Sequence, residues 1–350
     1  MGKTEVTGMA TTKKEQLAYL QWLRVFAAAA VVLAHTDGLL WDKIPIDSRD
    51  WRVLSMYDGT VRWPVLMFLM ITGTIFLPRR TELKQLLTRN IPRVLTAFVF
   101  WSGVYTLWVW YDGRGGELLL TFLHGHYHMW YLPFLCGVYL TVPFLQKICE
   151  DEKLTAQLLT LSCIFGLLIP WGANLVALNW PGIGPEVRTV ESNLQYTFFL
   201  DLLALLPLGY TLHRTEISPR LRRVIYLLGI LGAVLTGVGT IWSSQRMGTC
   251  SSVFCTNASP TVIAPGVALY VFAKYNLKTL PKTVAWLADH SFGIYLLHAL
   301  VTEVLQRWGF HVLAFDPIIA VPVVSVVVFT ISAALAALLA RIPVVGKYLV

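Results

Sequence analysis

The sequence predicts an all-α, polytopic integral membrane protein with about ten transmembrane helices and both termini in the cytoplasm. Three observations predict it. Of the 350 residues, 56% are hydrophobic and only 14% are charged, against about 25% charged in a soluble domain. The apolar residues gather in ten runs that approach the ~20 residues needed to cross a bilayer. The cations alternate loop by loop: with the N-terminus inside, twenty of the 28 Lys and Arg fall on the cytoplasmic side and eight on the other, as the positive-inside rule requires. Topology thus accounts for the net charge of +8 without a nucleic-acid partner, and the partner implied is the lipid bilayer.

The ten runs are justified in order. Behind a polar cytoplasmic tail (1–16), the first covers 17–40; from Leu17 to Leu40 it is longer than the roughly 7–15-residue apolar region of a secretory signal. The second, 63–78, runs into Arg79, Arg80 and Lys84, and the third, 92–111, starts behind Arg89 and at Arg93. The fourth, 128–146, opens at His128 and ends before Lys147, and the fifth, 154–171, follows Lys153. The sixth, 195–213, holds Asp201 and ends at Arg214; the seventh, 222–243, starts among Arg220, Arg222 and Arg223. The eighth, 260–274, stops at Lys274, the ninth, 284–306, follows Lys278 and Lys282, and the tenth, 317–340, stops at Arg341. The fifth and eighth are short or interrupted by Pro and Gly. The span 17–341 reads as one transmembrane domain, with 342–350 a cytoplasmic C-terminal tail.

The longest other polar stretches, near 41–62, 172–194 and 244–259, are outer loops rich in Trp, Tyr, Gly and Pro. Trp41, Trp51 and Trp171 among them suit an interfacial aromatic belt. Cys250 and Cys255 flank Ser-Ser-Val-Phe on that outer face, where a disulfide persists. Cys136, Cys149 and Cys163 fall in or beside spans as packing residues.

Ionisable groups inside hydrocarbon are costly and mark function by default. Arg24 and His35 lie in the first run, with no other charge among the ten residues between them. Eleven helical steps bring them within about 20° on one face, about 16 Å apart along the axis. Arg89 and Arg93, one turn apart on a helix, join Arg24 in a cationic mouth suited to phosphate. In the ninth run Ser291, Tyr295 and His298 recur at i, i+4, i+7, a polar stripe that faces a cavity or another polar helix. Asp201 is a further buried charge expected to line a cavity. His124, His126 and His128 alternate with no carboxylate or cysteine beside them, so no metal is expected.

These residues resemble a family. Arg24-(ten residues)-His35 fits a first-helix pattern of Arg or Lys, ten residues, then His. Phe68-Leu69-Met70-Ile71-Thr72-Gly73 resembles Phe-Phe-x-x-Ser-Gly, and Arg89 to Arg93 resembles a basic approach to helix three, with Asn90 and Thr96 in place of Arg and Pro. His128-Met129-Trp130-Tyr131-Leu132 resembles His-Leu-Trp-Phe-Leu, and Ser291 through His298 resembles Ser-x-x-x-Tyr-Leu-x-His. In this order, and over nearly the whole chain, the pattern resembles the acyltransferase-3 family of membrane acyltransferases that modify surface glycans.

The resemblance implies acetyl-CoA as acyl donor, bound from the cytoplasm without a metal, and a hydroxyl of a glycan or lipid-linked saccharide as acceptor. It implies a multi-pass protein of the inner (plasma) membrane. His35 carries over as the catalytic histidine and Arg24 as its donor-site partner. Arg89 and Arg93 would hold the donor phosphates, with His128 and Trp130 in the donor site; Ser291, Tyr295 and His298 would line the substrate cavity, where the buried charge of Asp201 is also expected. Thioester chemistry fits, because acyl transfer needs a base for the hydroxyl or a nucleophile to carry the acyl group, and imidazole serves as either near neutral pH. A different class, a transporter or flippase of a lipid-linked saccharide, also suits ten spans with buried charges. The missing internal repeat and the lack of a coupling-carboxylate array speak against it. Oligomeric state is not written in the sequence.

Overall fold

The computed structural model describes residues 17–79, 81–114, 116–193 and 202–350, without the side chains of 344, 345 and 347. All regular structure among them is helical: α1 (Ala18–Trp41), α2 (Arg49–Thr60), α3 (Pro64–Phe76), α4 (Leu83–Tyr111), α5 (Leu118–His124), α6 (Tyr131–Cys149), α7 (Glu152–Asn179), α8 (Gly184–Asn193), α9 (Leu205–Arg214), α10 (Pro219–Met247), α11 (Pro260–Asn276), α12 (Lys282–Asp289), α13 (Ser291–Arg307), α14 (Pro317–Ala340) and α15 (Pro343–Tyr348).

Seven of these stretches are long and apolar enough to cross a membrane: α1, the α2–α3 run, α4, α6, α7, α10 and α14. The pair α12 and α13, bent by 67° at His290, makes an eighth if taken as one span. Two of the ten expected runs differ. The sixth is described only from residue 202, where α9 covers Leu205–Arg214, and Asp201 lies outside the described residues. The eighth is α11, a helix of 17 residues with Pro265 inside it. The expected outer loop 41–62 is largely α2, which packs on α10. Trp51, expected at the interface, is fully buried there and stacked on Trp41.

Local chemistry sets the helix ends. Ser48 accepts from the Trp51 N–H, Ser218 from the Leu221 N–H and Asp316 from the Ile318 N–H, each relieving an orphan donor at a first turn. Pro219 and Pro317 stand at first helical positions, where no N–H is needed. Gly248, with φ of 72°, closes α10 in the left-handed conformation that glycine adopts without a Cβ clash. Two π turns, Leu86–Asn90 in α4 and Ser162–Leu168 in α7, each precede a proline, Pro92 and Pro170. Proline has no N–H for the carbonyl four residues back, and the ladder widens there. Arg89 sits in the first of these turns and Arg93 just beyond it.

Helix α1 is the hub: it touches α2, α3, α11, α12, α13 and α14. Its alanines make this contact close, with Ala27, Ala28 and Ala30 all buried. The outward faces of α10 and α14 expose Leu227, Ile230 and Val326, an apolar surface suited to lipid. The C-terminal stretch lies against the bundle: the Trp101 indole N–H donates to the Leu349 carbonyl at 2.8 Å, and Leu349 and Val350 are buried.

The sharpest packing is between α3 and α9. A Cβ at Gly73 would run into the backbone of Leu206, and one at Gly209 into the backbone of Met70. Membrane helices approach this closely only through small residues, which gives Gly73 of the second-helix motif a packing reason. Gly73→Val is therefore expected to lower the thermal midpoint of the purified protein, by an overpacking cost of about 1–3 kcal/mol or more. Gly182→Val, at a position with open space around it, is expected to leave the midpoint unchanged in the same thermal scan.

Candidate active site

Two helices and one loop bring histidines together in the interior. His35 comes from α1, His298 from α13, and His126 and His128 from the segment between α5 and α6. The His35 and His298 rings are stacked with centroids 5.0 Å apart, and His35 Nδ1 lies 2.8 Å from His298 Nε2. His128 stands edge-on to both, 6.2 Å from His35 and 5.0 Å from His298 between ring centroids. Tyr127 closes on His35 edge-on at 5.4 Å.

The polar stripe of α13 builds this arrangement. Tyr295 donates its hydroxyl to the His128 carbonyl at 2.7 Å and so fixes the loop that carries that ring. The Tyr295 carbonyl in turn lies 2.7 Å from His298 Nδ1. A carbonyl only accepts, so neutral His298 carries its proton on Nδ1 and presents a lone pair at Nε2. His35 must then donate from Nδ1, which leaves His35 Nε2 without a proton. That nitrogen has no hydrogen-bond partner among the described residues. Ser291, the outermost member of the stripe, donates to the Ala288 carbonyl at the α12–α13 break and stays apart from the cluster.

Arg24 lies on the same helix as His35 toward the other end, partly buried, with its guanidinium 3.4 Å from Gln21 Oε1. It is within electrostatic reach of Asp289 and Tyr139. Arg93 reaches Tyr139 as well, and its guanidinium lies 5.8 Å from the Phe292 ring centroid. Tyr139 of α6 is thus where the Arg24 and Arg93 charges meet. Arg89 is exposed. Trp130 is half-exposed against Tyr131 and Phe134, away from the imidazoles, so His128 and Trp130 are separated despite their spacing.

The opposite end of the cluster holds an ion network that sequence reasoning did not assemble. Glu303 of α13 accepts from Trp108 Nε1 at 2.6 Å and from Arg114, and lies 3.0 Å from His126 Nε2. Asp112 bridges Arg114 and Arg307. Two residues beyond His35, Asp37 is completely buried with neither carboxylate oxygen in a hydrogen bond of normal geometry, and Asp58 pairs with Arg62 at 2.5 Å. Arg62 lines an open cavity of about 410 Å³ with Trp41, Cys250, Ser252, Cys255, Thr256 and Asn257. Cys250 and Cys255 both stand here as separate thiols on its wall. Cys255 is turned inward toward Thr240 and Arg62, whereas Cys250 faces Trp51. Among the described residues, no group of three or more His, Cys, Asp or Glu has the geometry of a metal site.

The arrangement is an imidazole with an oriented lone pair, buried between a cationic rim at one end and an ion network at the other. Such a nitrogen can take a proton from a hydroxyl or attack an acyl carbon. No curated protein and no solved structure matches the chain. A family model, described as an acyltransferase domain, matches residues 17–337. That match takes in the bundle from α1 into α14 and every residue of the histidine cluster, and the chain belongs to the acyltransferase-3 family of membrane acyltransferases.

Proposed function

We propose that this protein moves an acetyl group from acetyl-CoA, taken from the cytoplasm, to a hydroxyl of a surface or lipid-linked glycan. The observation that carries the reading is the hydrogen-bonded series Tyr295 carbonyl, His298, His35, which leaves His35 Nε2 as the unprotonated nitrogen of the site. Within the family the motifs most resemble those of the O-acetyltransferase of enterobacterial common antigen. The distribution of Lys and Arg supports ten spans with both termini in the cytoplasm, and the family resemblance supports a cell inner membrane.

The residues present fit the donor. Acetyl-CoA is a long anion with a reactive thioester at one end. Arg24 and Arg93 converge at Tyr139, and His35 lies about 16 Å farther along α1 than Arg24. Guanidiniums there hold phosphates by charge-assisted hydrogen bonds, and the pantetheine arm spans the remaining distance to the imidazole. Arg24→Ala is expected to raise the KM for acetyl-CoA by about 10- to 100-fold, the worth of a charged hydrogen bond. Arg24→Lys, which keeps the charge and loses the fork, is expected to fall between that variant and the parent protein in steady-state assays.

The reading is tested with the purified protein in sealed proteoliposomes, carbon-labelled acetyl-CoA, and envelope glycans from cells lacking this chain. Label appearing on glycan as an acetyl mass increment, with release of free CoA, supports it. Glycan movement across the bilayer without CoA release would replace it with the flippase reading.

A further inference from the structure

Transfer as described uses His35 and His298, and leaves a second chain of hydrogen bonds in the same interior without a task. It begins at Glu303. One carboxylate oxygen accepts from Trp108 Nε1 and Arg114, and the other lies 3.0 Å from His126 Nε2. A carboxylate accepts, so His126 carries its proton on Nε2 and, when neutral, a lone pair on Nδ1. That nitrogen is 3.1 Å from His128 Nδ1, which must therefore donate. His128 is left with a lone pair on Nε2, and this atom is buried with no hydrogen bond of normal geometry, the Leu296 backbone lying beside the ring.

The His128 ring has no freedom to find one. Its backbone carbonyl is held by Tyr295, and its faces and edges meet Tyr105 at 5.1 Å, Tyr295 at 5.4 Å and His298 at 5.0 Å. Buried polar nitrogens are almost always satisfied, and an exception calls for a reason. Here the same logic has been applied twice: Tyr295 carbonyl to His298 to His35, and Glu303 to His126 to His128. Each series ends in an unprotonated Nε2, on rings whose centroids are 6.2 Å apart.

We propose that His128 is the base that takes the proton of the accepting hydroxyl, positioned by His126 and Glu303, while His35 carries the acyl group between donor and acceptor. The proposal rests on the acyl-transfer reading above and assigns its second half. In the first half, the His35 Nε2 lone pair forms a bond to the thioester carbonyl carbon. The carbon–sulfur bond breaks, sulfur leaves with the electron pair and takes a proton from water. The Nδ1 proton of His35 stays in its hydrogen bond to His298 Nε2, so the carrier is an acyl-imidazolium. In the second half, the acceptor hydroxyl gives its proton to His128 Nε2 as its oxygen bonds to the acyl carbon. The carbon–nitrogen bond breaks, its pair returns to His35 Nε2, and His35 is again the neutral imidazole with its proton on Nδ1. His128 passes its own Nδ1 proton to His126, beside the Glu303 carboxylate, and the charge is discharged to water.

The test separates the two halves in full-length protein in nanodiscs, with labelled acetyl-CoA. Without acceptor, the parent protein is expected to release one equivalent of CoA in a burst and to retain label on the peptide containing His35. His128→Gln is expected to keep the burst and lose discharge to added methanol by about 100-fold. Glu303→Gln, which preserves volume, is expected to slow discharge with the KM for acetyl-CoA unchanged. In both variants the deficit should shrink with trifluoroethanol, whose hydroxyl ionises more readily; a merely structural role would not discriminate between the alcohols. Discharge by His128→Gln at the parent rate, or equal loss of burst and discharge in a monodisperse variant, would overturn the assignment. A parent protein that acetylates glycan with no burst and no labelled peptide would overturn it too, while leaving the acyltransferase reading intact. A parent protein that neither cleaves acetyl-CoA nor acetylates glycan would overturn that reading itself.

Discussion

His35→Ala is expected to reduce acyl transfer by about 10²–10⁴-fold, the range for a positioned acid–base group, with membrane insertion and yield unchanged. The second half of that statement follows from the packing. His35 makes one side-chain hydrogen bond, to His298, and its neighbours on α1 are held independently through the buried Ala27, Ala30, Val31 and Val32. Removing the ring leaves His298 Nε2 without its donor but does not open the bundle. The measurement is a single-turnover assay of the monodisperse variant beside the parent protein. Retained transfer would show that Nε2 takes no part, however well it is oriented. Failure of the variant to insert would mean that the ring is chiefly a packing element, and His35→Gln then becomes the informative comparison.

What was legible in the sequence was whatever a single helix can display. The eleven-residue separation of Arg24 and His35 put them on one face because the first run is helical throughout. The i, i+4, i+7 stripe of Ser291, Tyr295 and His298 was equally local, and its two inner members do face polar partners. The partners themselves were not legible. His35 and His298 are 263 residues apart, and periodicity assigns a face without naming what lies opposite. Glu303 fell outside the stripe because it lies five residues beyond His298. His126 sits in a loop where no period applies. Helix α2 was hidden for another reason: its residues are too polar for a hydropathy signal. Its readable marks were Ser48 as a cap and Asp50 in the first turn. With α2 unrecognised, Trp51 looked interfacial rather than buried.

The same distinction between local and distant contacts sharpens the second large expectation, at His298. This residue touches the reacting nitrogen only through His35, and its task is to keep the His35 proton on Nδ1. His298→Leu removes the acceptor, so His35 is free to carry its proton on Nε2, where it blocks attack. Loss of a residue that fixes a catalytic histidine's tautomer cost about 10⁴-fold in kcat in a serine protease, and a loss of about 10²–10⁴-fold is expected here. His298→Gln is the discriminating variant. Its side-chain oxygen can accept from His35 Nδ1 in place of His298 Nε2, so the tautomer is retained and activity is expected to recover much of the loss, with the KM for acetyl-CoA the same in all three proteins. His298→Lys presents only donors and is expected to behave like the leucine variant or worse. If leucine and glutamine variants lose activity equally, the ring of His298 serves by shape alone, and the orientation of the His35 lone pair must be set by something other than the Tyr295 carbonyl.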